Sequence, residues 1–415
     1  MIMLKTDAMR PSLDVDPFHR VMPHTRAVSA QEPAVLSREL SGVHETLFGV
    51  SGPESSRPGR SVRPAVGSSD VLARAQRFPR LRYMGSKYRL LPHLERTFAD
   101  IGGSTAVDAF SGSGVVSYLL KAQGFEVLSN DFLNFPHIIT RASVANSSVR
   151  LEPDLIEEIC GPPADDRDYI ARTFDGLYFT AEDREFLDSA WSHIDALRGY
   201  RRDLAISALV LSAARKQPRG VFTFTDSTRY ADGRRDLTMS LRDHFRLRAA
   251  ADYNSTVFSN TRNSRSTQGD IFDLEIPWAA PPDLVYLDPP YAPPTDDNDY
   301  IKRYHFLEGL SAYWRGMTIM ENTKTKKLPK RFTPFAYKRT IEDALLRTFE
   351  HFEDAGAIVL SYSSNALPGK DRIVDLLGKV KPSVEVIAID HKYSFGTHAA
   401  ATRRDVSEFL FIGRD

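Results

Sequence analysis

Residues 284–293 read "LVYLDPPYAP", four apolar or aromatic residues running into an acid, two prolines and a tyrosine. The apolar run has the character of a buried strand. Pro289 and Pro290 fix φ and restrict the residues before them, so Asp288 and its neighbouring carbonyls are held outward at the strand terminus. Rigid acceptors of this kind suit one task. The exocyclic amine of an aromatic base is a poor nucleophile because its lone pair is conjugated into the ring. The Asp288 carboxylate and the Pro289 carbonyl could take both amino hydrogens and favour a tetrahedral nitrogen aimed at an electrophile, with Tyr291 stacking on the base. The competing reading is a proline-rich turn with a capping Asp.

The electrophile needs its own site, and a glycine loop, Asp108-Ala109-Phe110-Ser111-Gly112-Ser113-Gly114, offers one. Gly112 and Gly114 let the backbone approach a ligand closely, and Phe110 can pack beneath it. On the glycines alone, an ordinary strand-to-helix turn is as good a reading. Asp131 shifts the balance, because it ends the next strand about 20 residues on, where a carboxylate can hold ribose hydroxyls. The pair points to an adenosine-containing cofactor. Ser117 stands where a third glycine would complete a pyrophosphate-binding turn, which argues against a dinucleotide. In "RYMGSK", Tyr83 and Lys87 flank a glycine turn. They suit a methionine-like tail, with Lys87 as counter-charge to a carboxylate and Tyr83 against a sulfonium; alone, the hexapeptide reads as a helix entry. Asp270 in "GDIFDL" could accept from the cofactor's adenine amine, or cap a turn.

These residues need a scaffold. "TAVDAFSGSGVVSYLLKAQGFEVLSNDF" reads as strand, glycine loop, helix, turn and strand, a βαβ unit. Strand character returns at "GDIFDL", "PDLVYLDPPY", "AGAIVLSYSSN", "VEVIAIDHKY" and "SEFLFIG", with a helix at "TIEDALLRTFEHF". The alternation predicts an α/β protein with a mostly parallel sheet and ligands beyond the carboxyl ends of its strands. Residues 150–265 change to amphipathic helices followed by an Arg-rich stretch and read as an insertion. Residues 1–78, rich in Ser, Pro, Arg and Gly, have the composition of a disordered arm.

Lys plus Arg equals Asp plus Glu at 54 each in 415 residues, so a nucleic-acid surface must come from local segregation of charge. Candidates are Arg215, Lys216, Arg219, Arg229, Arg234 and Arg235 in the insertion, with Lys326 and Lys327 in "KTKKLPKRF". A solvated face is the ordinary meaning of such runs. The single cysteine, Cys160, excludes a disulfide framework or multi-cysteine metal site and fits a reducing compartment. No metal is expected, and no membrane and a cytoplasmic location are expected because the start has no apolar core of signal-peptide type and no stretch approaches about 18 uncharged apolar residues.

Taken in order, "RYMGSK", "DAFSGSG", "SNDF", "GDIFDL" and "DPPY" resemble the motifs of the Dam-like, alpha-group (D12 class) DNA adenine-N6 methyltransferases, over about 80–415. The resemblance implies a Rossmann-like S-adenosylmethionine-dependent methyltransferase fold, with a mainly parallel sheet and an antiparallel last strand, here "SEFLFIG". Residues 79–149 and 266–415 would form the catalytic domain, and 150–265 an inserted, mostly helical target-recognition domain that binds DNA. It implies S-adenosyl-L-methionine held by Tyr83, Lys87, Asp108, Phe110, Gly112, Gly114, Asp131, Phe132, Asp270, Ile271 and Asp288. Asp288, Pro289, Pro290 and Tyr291 would be catalytic, double-stranded DNA the substrate, and a cognate restriction endonuclease a candidate partner. "RGVFTFTDSTRYADGRRD" departs from the family's recognition motif, so no target sequence carries over. The alternatives are the same chemistry on cytosine N4 in DNA or on RNA amines, and a catalytically silent DNA-binding subunit. Intact Lys87, Asp131, Asp288 and Tyr291 argue against the silent subunit.

Overall fold

The computed structural model describes residues 68–218, 220–223, 233–292, 300–392 and 405–415. Its centre is a seven-stranded sheet: β1 Thr105–Asp108, β2 Glu126–Asp131, β3 Arg265–Gln268, β4 Leu284–Leu287, β5 Ala357–Ser363, β6 Ser383–Lys392 and β7 Asp405–Arg414. The spatial order is β3-β2-β1-β4-β5-β7-β6. β1 to β5 pair in parallel, and β7 lies antiparallel between β5 and β6. This is the mainly parallel, Rossmann-like arrangement with an antiparallel last strand that the motifs imply.

Helices cover both faces. α1 Ser68–Gln76, α2 Leu91–Ile101, α3 Val115–Ala122 and α4 Asn134–Thr140 belong to the first half. The middle of the chain supplies α5 Pro153–Ile159, α6 Tyr169–Thr173, α7 Ala181–Ile194, α8 Gly199–Arg215, α9 Arg235–Thr238, α10 Leu241–Leu247 and α11 Asn254–Thr256. α12 Tyr300–Ala312, α13 Ile341–His351 and α14 Lys370–Leu377 follow β4.

All four residues of β4 are buried, as a central strand covered on both sides requires. Alternation divides them: Ala106, Leu284, Tyr286 and Val359 join the core under α3, α4, α8 and α12, whereas Val107, Val285, Leu287 and Leu360 join the core under α13 and α14. The strand order reverses between β1 and β4, where open parallel sheets leave a crevice at their carboxyl ends. There the Ala109 amide donates to the Tyr286 carbonyl at 3.1 Å, so the glycine loop and the proline corner are adjacent. At the other end, Asp283 Oδ2 accepts from the amides of Ser104 at 2.6 Å and Thr105 at 2.9 Å, fastening the two strands together. Only glycine fits beside that clasp, because a Cβ on Gly103, at φ +100°, would stand 2.3 Å from the Asp283 Cβ.

Three expectations are corrected. Order begins within the predicted 1–78 arm: α1 buries Val71 and Ala75, and Phe78 packs on Tyr118 of α3 with ring centroids 4.7 Å apart. That apolar stripe gives a short helix the burial its composition does not advertise; residues 1–67 lie outside the described residues. "GDIFDL" is not a strand. The strand is the polar "RSTQ" just before it, at the sheet's edge, and Asp270 caps a turn at Ile271–Asp273 by accepting from the Phe272 amide at 3.2 Å. Finally, the helices of 150–265 are no separate body. Leu204, Leu211 and Phe245 share one apolar core with Leu284 and Tyr286 of the sheet.

Candidate active site

A cleft of about 1180 Å³, counting the solvent at its mouth, opens at the carboxyl ends of β1, β2 and β4. Tyr83, Lys87, Asp108, Phe110, Gly112, Asp131, Phe132, Asp270, Ile271, Asp288 and Pro290 all line it, brought together from five separate stretches of sequence. Gly114 serves differently. It opens α3 at φ +83°, and a Cβ there would press on Thr140 and Ile139 at 3.2 and 3.3 Å, so it makes room for α4. Gly112, at φ +49°, lies against Tyr83, whose Cε1 a Cβ would meet at 3.0 Å.

Asp131 ties the loops on this side. Its Oδ2 accepts from the Gly112 amide at 2.8 Å and its Oδ1 from the Leu133 amide at 2.9 Å, and burial pushes its carboxyl up to about 6. Asp108 is wholly buried and its carboxyl is pushed up to about 7 by that burial. Ser117 donates to its Oδ2 at 2.5 Å, while Oδ1 has no hydrogen-bond partner. At the apolar end Phe335 meets Phe110 edge-on at 5.1 Å and stacks on Phe272 at 5.9 Å.

The corner at the end of β4 is held by a knot of charged groups. Lys87 Nζ lies 2.8 Å from Asp288 Oδ1 and 3.3 Å from Glu408 Oε1, and donates to the Gly85 carbonyl at 2.8 Å and the Tyr291 hydroxyl at 2.9 Å. The Tyr291 hydroxyl in turn lies 2.7 Å from Glu408 Oε1 and 3.1 Å from Asp288 Oδ1, its one proton serving both carboxylates. Ser361 of β5 donates to Glu408 Oε1 at 3.0 Å, and the other Glu408 oxygen has no hydrogen-bond partner. Burial pushes the Asp288 carboxyl up to about 6; the Lys87 charge opposes the shift and the Glu408 charge adds to it.

The knot changes two expected roles. The Lys87 side chain is only 3% exposed and faces two acids, so in this arrangement it serves Asp288 and Glu408, whereas a ligand carboxylate was expected. Tyr291 anchors its hydroxyl in the knot and sets its ring edge-on against Tyr362 at 4.9 Å. The aromatic wall of the cleft is built instead on Tyr83, which stacks on Tyr304 at 4.9 Å and lies 5.6 Å from Tyr300, both from α12. Glu308, also on α12, accepts from the Asn134 and Phe135 amides and so fixes α4 behind the Asp131 loop.

Glu408 lies in none of the motifs above, whereas Tyr300 and Tyr304 belong to "YIKRYHFLEGLSAYW", a stretch similar to the family's segment after the corner although neither tyrosine is singled out by it. Glu408 carried a signal, since in "SEFLFIG" it shares the inward side of the strand with Leu410 and Ile412, where an acid must have a reason to be.

The candidate DNA cations separate. Lys216 is buried, 2.6 Å from Asp183 Oδ2, and donates to the Met239 carbonyl at 2.7 Å; it is a structural residue because the helical layer closes over it. Arg215 is partly buried, 3.7 Å from Asp236. Arg234 and Arg235 are exposed, Lys326 pairs with Glu321, and Lys327 is half-buried. Arg219 and Arg229 lie outside the described residues. Burial pushes the Cys160 thiol up to about 11, away from reactivity. Among the described residues no helix is long and apolar enough to cross a membrane, and no three His, Cys, Asp or Glu side chains are grouped as for a metal ion.

Residues 83–333 match the family of D12 class N6 adenine-specific DNA methyltransferases. The chain is 25% identical over 350 residues to the Type II methyltransferase M2.HphI of Haemophilus parahaemolyticus, covering 81% of this chain and 98% of that protein. It is 23% identical over 329 residues to the Type II methyltransferase M.FokI of Planomicrobium okeanokoites, covering 72% and 46%. To the Modification methylase StsI of Streptococcus sanguinis it is 21% identical over 360 residues, covering 80% and 51%, so it spans about half the length of these last two relatives.

Proposed function

The chain belongs to the D12 class N6 adenine-specific DNA methyltransferases, and from that membership we propose that Asp288 and the Pro289 carbonyl orient the N6 amine of an adenine flipped out of duplex DNA. S-adenosyl-L-methionine, when bound, supplies an electrophilic sulfonium methyl. The observation that carries the reading is the placement of Asp288, anchored through Oδ1 by Lys87, on the same cleft as the glycine loop and Asp131.

The cleft fits that cofactor. Its lining carries the Asp131 carboxylate, the Phe110 and Phe132 rings and Gly112 at a positive φ of +49°. Asp131 and Phe132 would hold the ribose, Phe110, Asp270 and Ile271 the adenine, and Tyr83 the sulfonium end. Asp288 accepts a hydrogen bond from the amine through its second oxygen and so directs the nitrogen lone pair toward the methyl. It need not be a strong base, because the nitrogen becomes acidic only as the methyl arrives. Flipping is required because a stacked, paired amine cannot be aligned with a methyl donor.

Residues 150–265 supply the target-recognition surface in this reading, and exposed Arg234 and Arg235 meet phosphates. Neutralising both is expected to lower the slope of log K against log salt for DNA binding by about 2; an unchanged slope would remove them from the interface. We infer further that the protein works in the cytoplasm as the modification partner of a restriction endonuclease; the support is that its relatives are named as type II methyltransferases and modification methylases. Expression in a cell lacking DNA methylation, followed by single-molecule sequencing, is expected to reveal N6-methyladenine in one enriched motif. Methylated cytosine N4, or unmodified DNA from folded protein, would overturn the reading.

A further inference from the structure

Among the described residues three large hydrophobic side chains are exposed, and two of them touch: Phe332, 64% exposed, stacks on Tyr337, 39% exposed, with centroids 5.4 Å apart and planes 16° apart. Tyr337 and Arg331 line the rim of the same cleft that holds Asp288. From Lys324 to Thr340 there are seven cations and no acid. A dry protein interface would not surround its apolar centre with so much positive charge, whereas a polyanion made of flat rings matches both features.

We propose that Phe332 and Tyr337 form a ledge on which a base of the target strand stacks once the neighbouring adenine has left the helix, with Lys330, Arg331, Lys338 and Arg339 gripping the adjoining phosphates. The inference rests on the function proposed above and adds to it the surface that receives the opened strand. The ledge is built before DNA arrives. The Arg331 guanidinium lies over the Phe132 ring at 3.7 Å, and Thr340 Oγ1 donates to the Pro334 carbonyl at 2.6 Å, closing the turn that carries both rings. The two rings are already near parallel, so an incoming base extends an existing stack and orders no further side chain.

The test uses the full chain and a duplex with 2-aminopurine at the target adenine. Wild-type protein is expected to raise the fluorescence of that base on binding. Phe332→Ala, and more so Phe332→Ala/Tyr337→Ala, is expected to suppress the rise and to increase the KM for DNA by about tenfold or more, with affinity for S-adenosyl-L-methionine unchanged. Phe332→Tyr should keep both near wild type. If the alanine variants flip and turn over DNA normally while the wild type methylates adenine, the ledge is wrong and the function stands. An equal loss of cofactor affinity would make the pair a wall of the cofactor site and overturn the ledge as well. A wild-type protein that binds and methylates RNA but not duplex DNA would remove both readings.

Discussion

Asp288→Ala is expected to lower methyl transfer by on the order of 10³-fold or more, leaving a folded protein that still binds S-adenosyl-L-methionine. The carboxylate is the acceptor fixed at the end of β4, and nothing else in the corner can replace its orientation toward an amine. Asp288→Asn is the sharper variant, because it keeps the volume and exchanges one acceptor for a donor. Protonation should do the same work reversibly. Burial raises the carboxyl to about 6 against an ordinary value of 3.8, so the ionised acceptor is lost as pH falls through about 6. The kcat should then drop about tenfold per pH unit below that point. The stability linkage has the opposite sense. A carboxyl whose folded value exceeds its unfolded one costs stability when ionised; the cost develops from about pH 4 to about pH 6 and is complete above. Asp288→Asn should therefore melt no lower than wild type at pH 7.5, and a clearly lower melting temperature with a flat pH–rate profile in the wild type would contradict this account.

Lys87→Met should be the most damaging single change in stability. It leaves Asp288 and Glu408 facing each other across Tyr291 without a cation, and removing one member of a buried charge cluster typically costs about 3–5 kcal/mol. Urea unfolding measures the loss. The double variant Lys87→Met/Glu408→Gln removes one of the two stranded charges and is expected to recover a large part of that stability, whereas the two substitutions would simply add if Glu408 and Lys87 were unrelated. Activity offers a second readout. Without the ammonium, the Asp288 carboxyl rises further, so the acid limb of the pH–rate profile should move to higher pH in Lys87→Met; Glu408→Gln alone, which removes a like charge, should move it lower. A shared pH profile in all three would show that the knot braces the fold and leaves the amine clamp untouched.

Most of this site was legible because its residues sit where local rules are strict. Pro289 and Pro290 permit few conformations, the fully apolar β4 has to be central, and Asp131 follows the glycine loop at the spacing one βαβ unit imposes. What escaped lacks such local constraint. β3, "RSTQ", borders the sheet and needs no apolar alternation, so its neighbour "GDIFDL" looked the better strand. Lys216 reads as a surface cation until α7 is known to bring Asp183 beside it. Gly114 reads as a ligand glycine until α4 is seen to need its space. Glu408 is more than a hundred residues from the corner it braces, and only the insertion of β7 between β5 and β6 brings it there.

The hydrogen bond from the Ala109 amide to the Tyr286 carbonyl, at the end of the β1–β4 ladder, carries a mechanical meaning. In the proposed function the seat for the donor and the clamp for the acceptor stand at the ends of two paired strands, β1 and β4. Their separation is a property of parallel strand register, so it cannot be tuned by closing one lobe upon another. In the proposed function the travel then falls to the substrate: these two strands act as a fixed jig, and it is the double helix that would come apart to reach it.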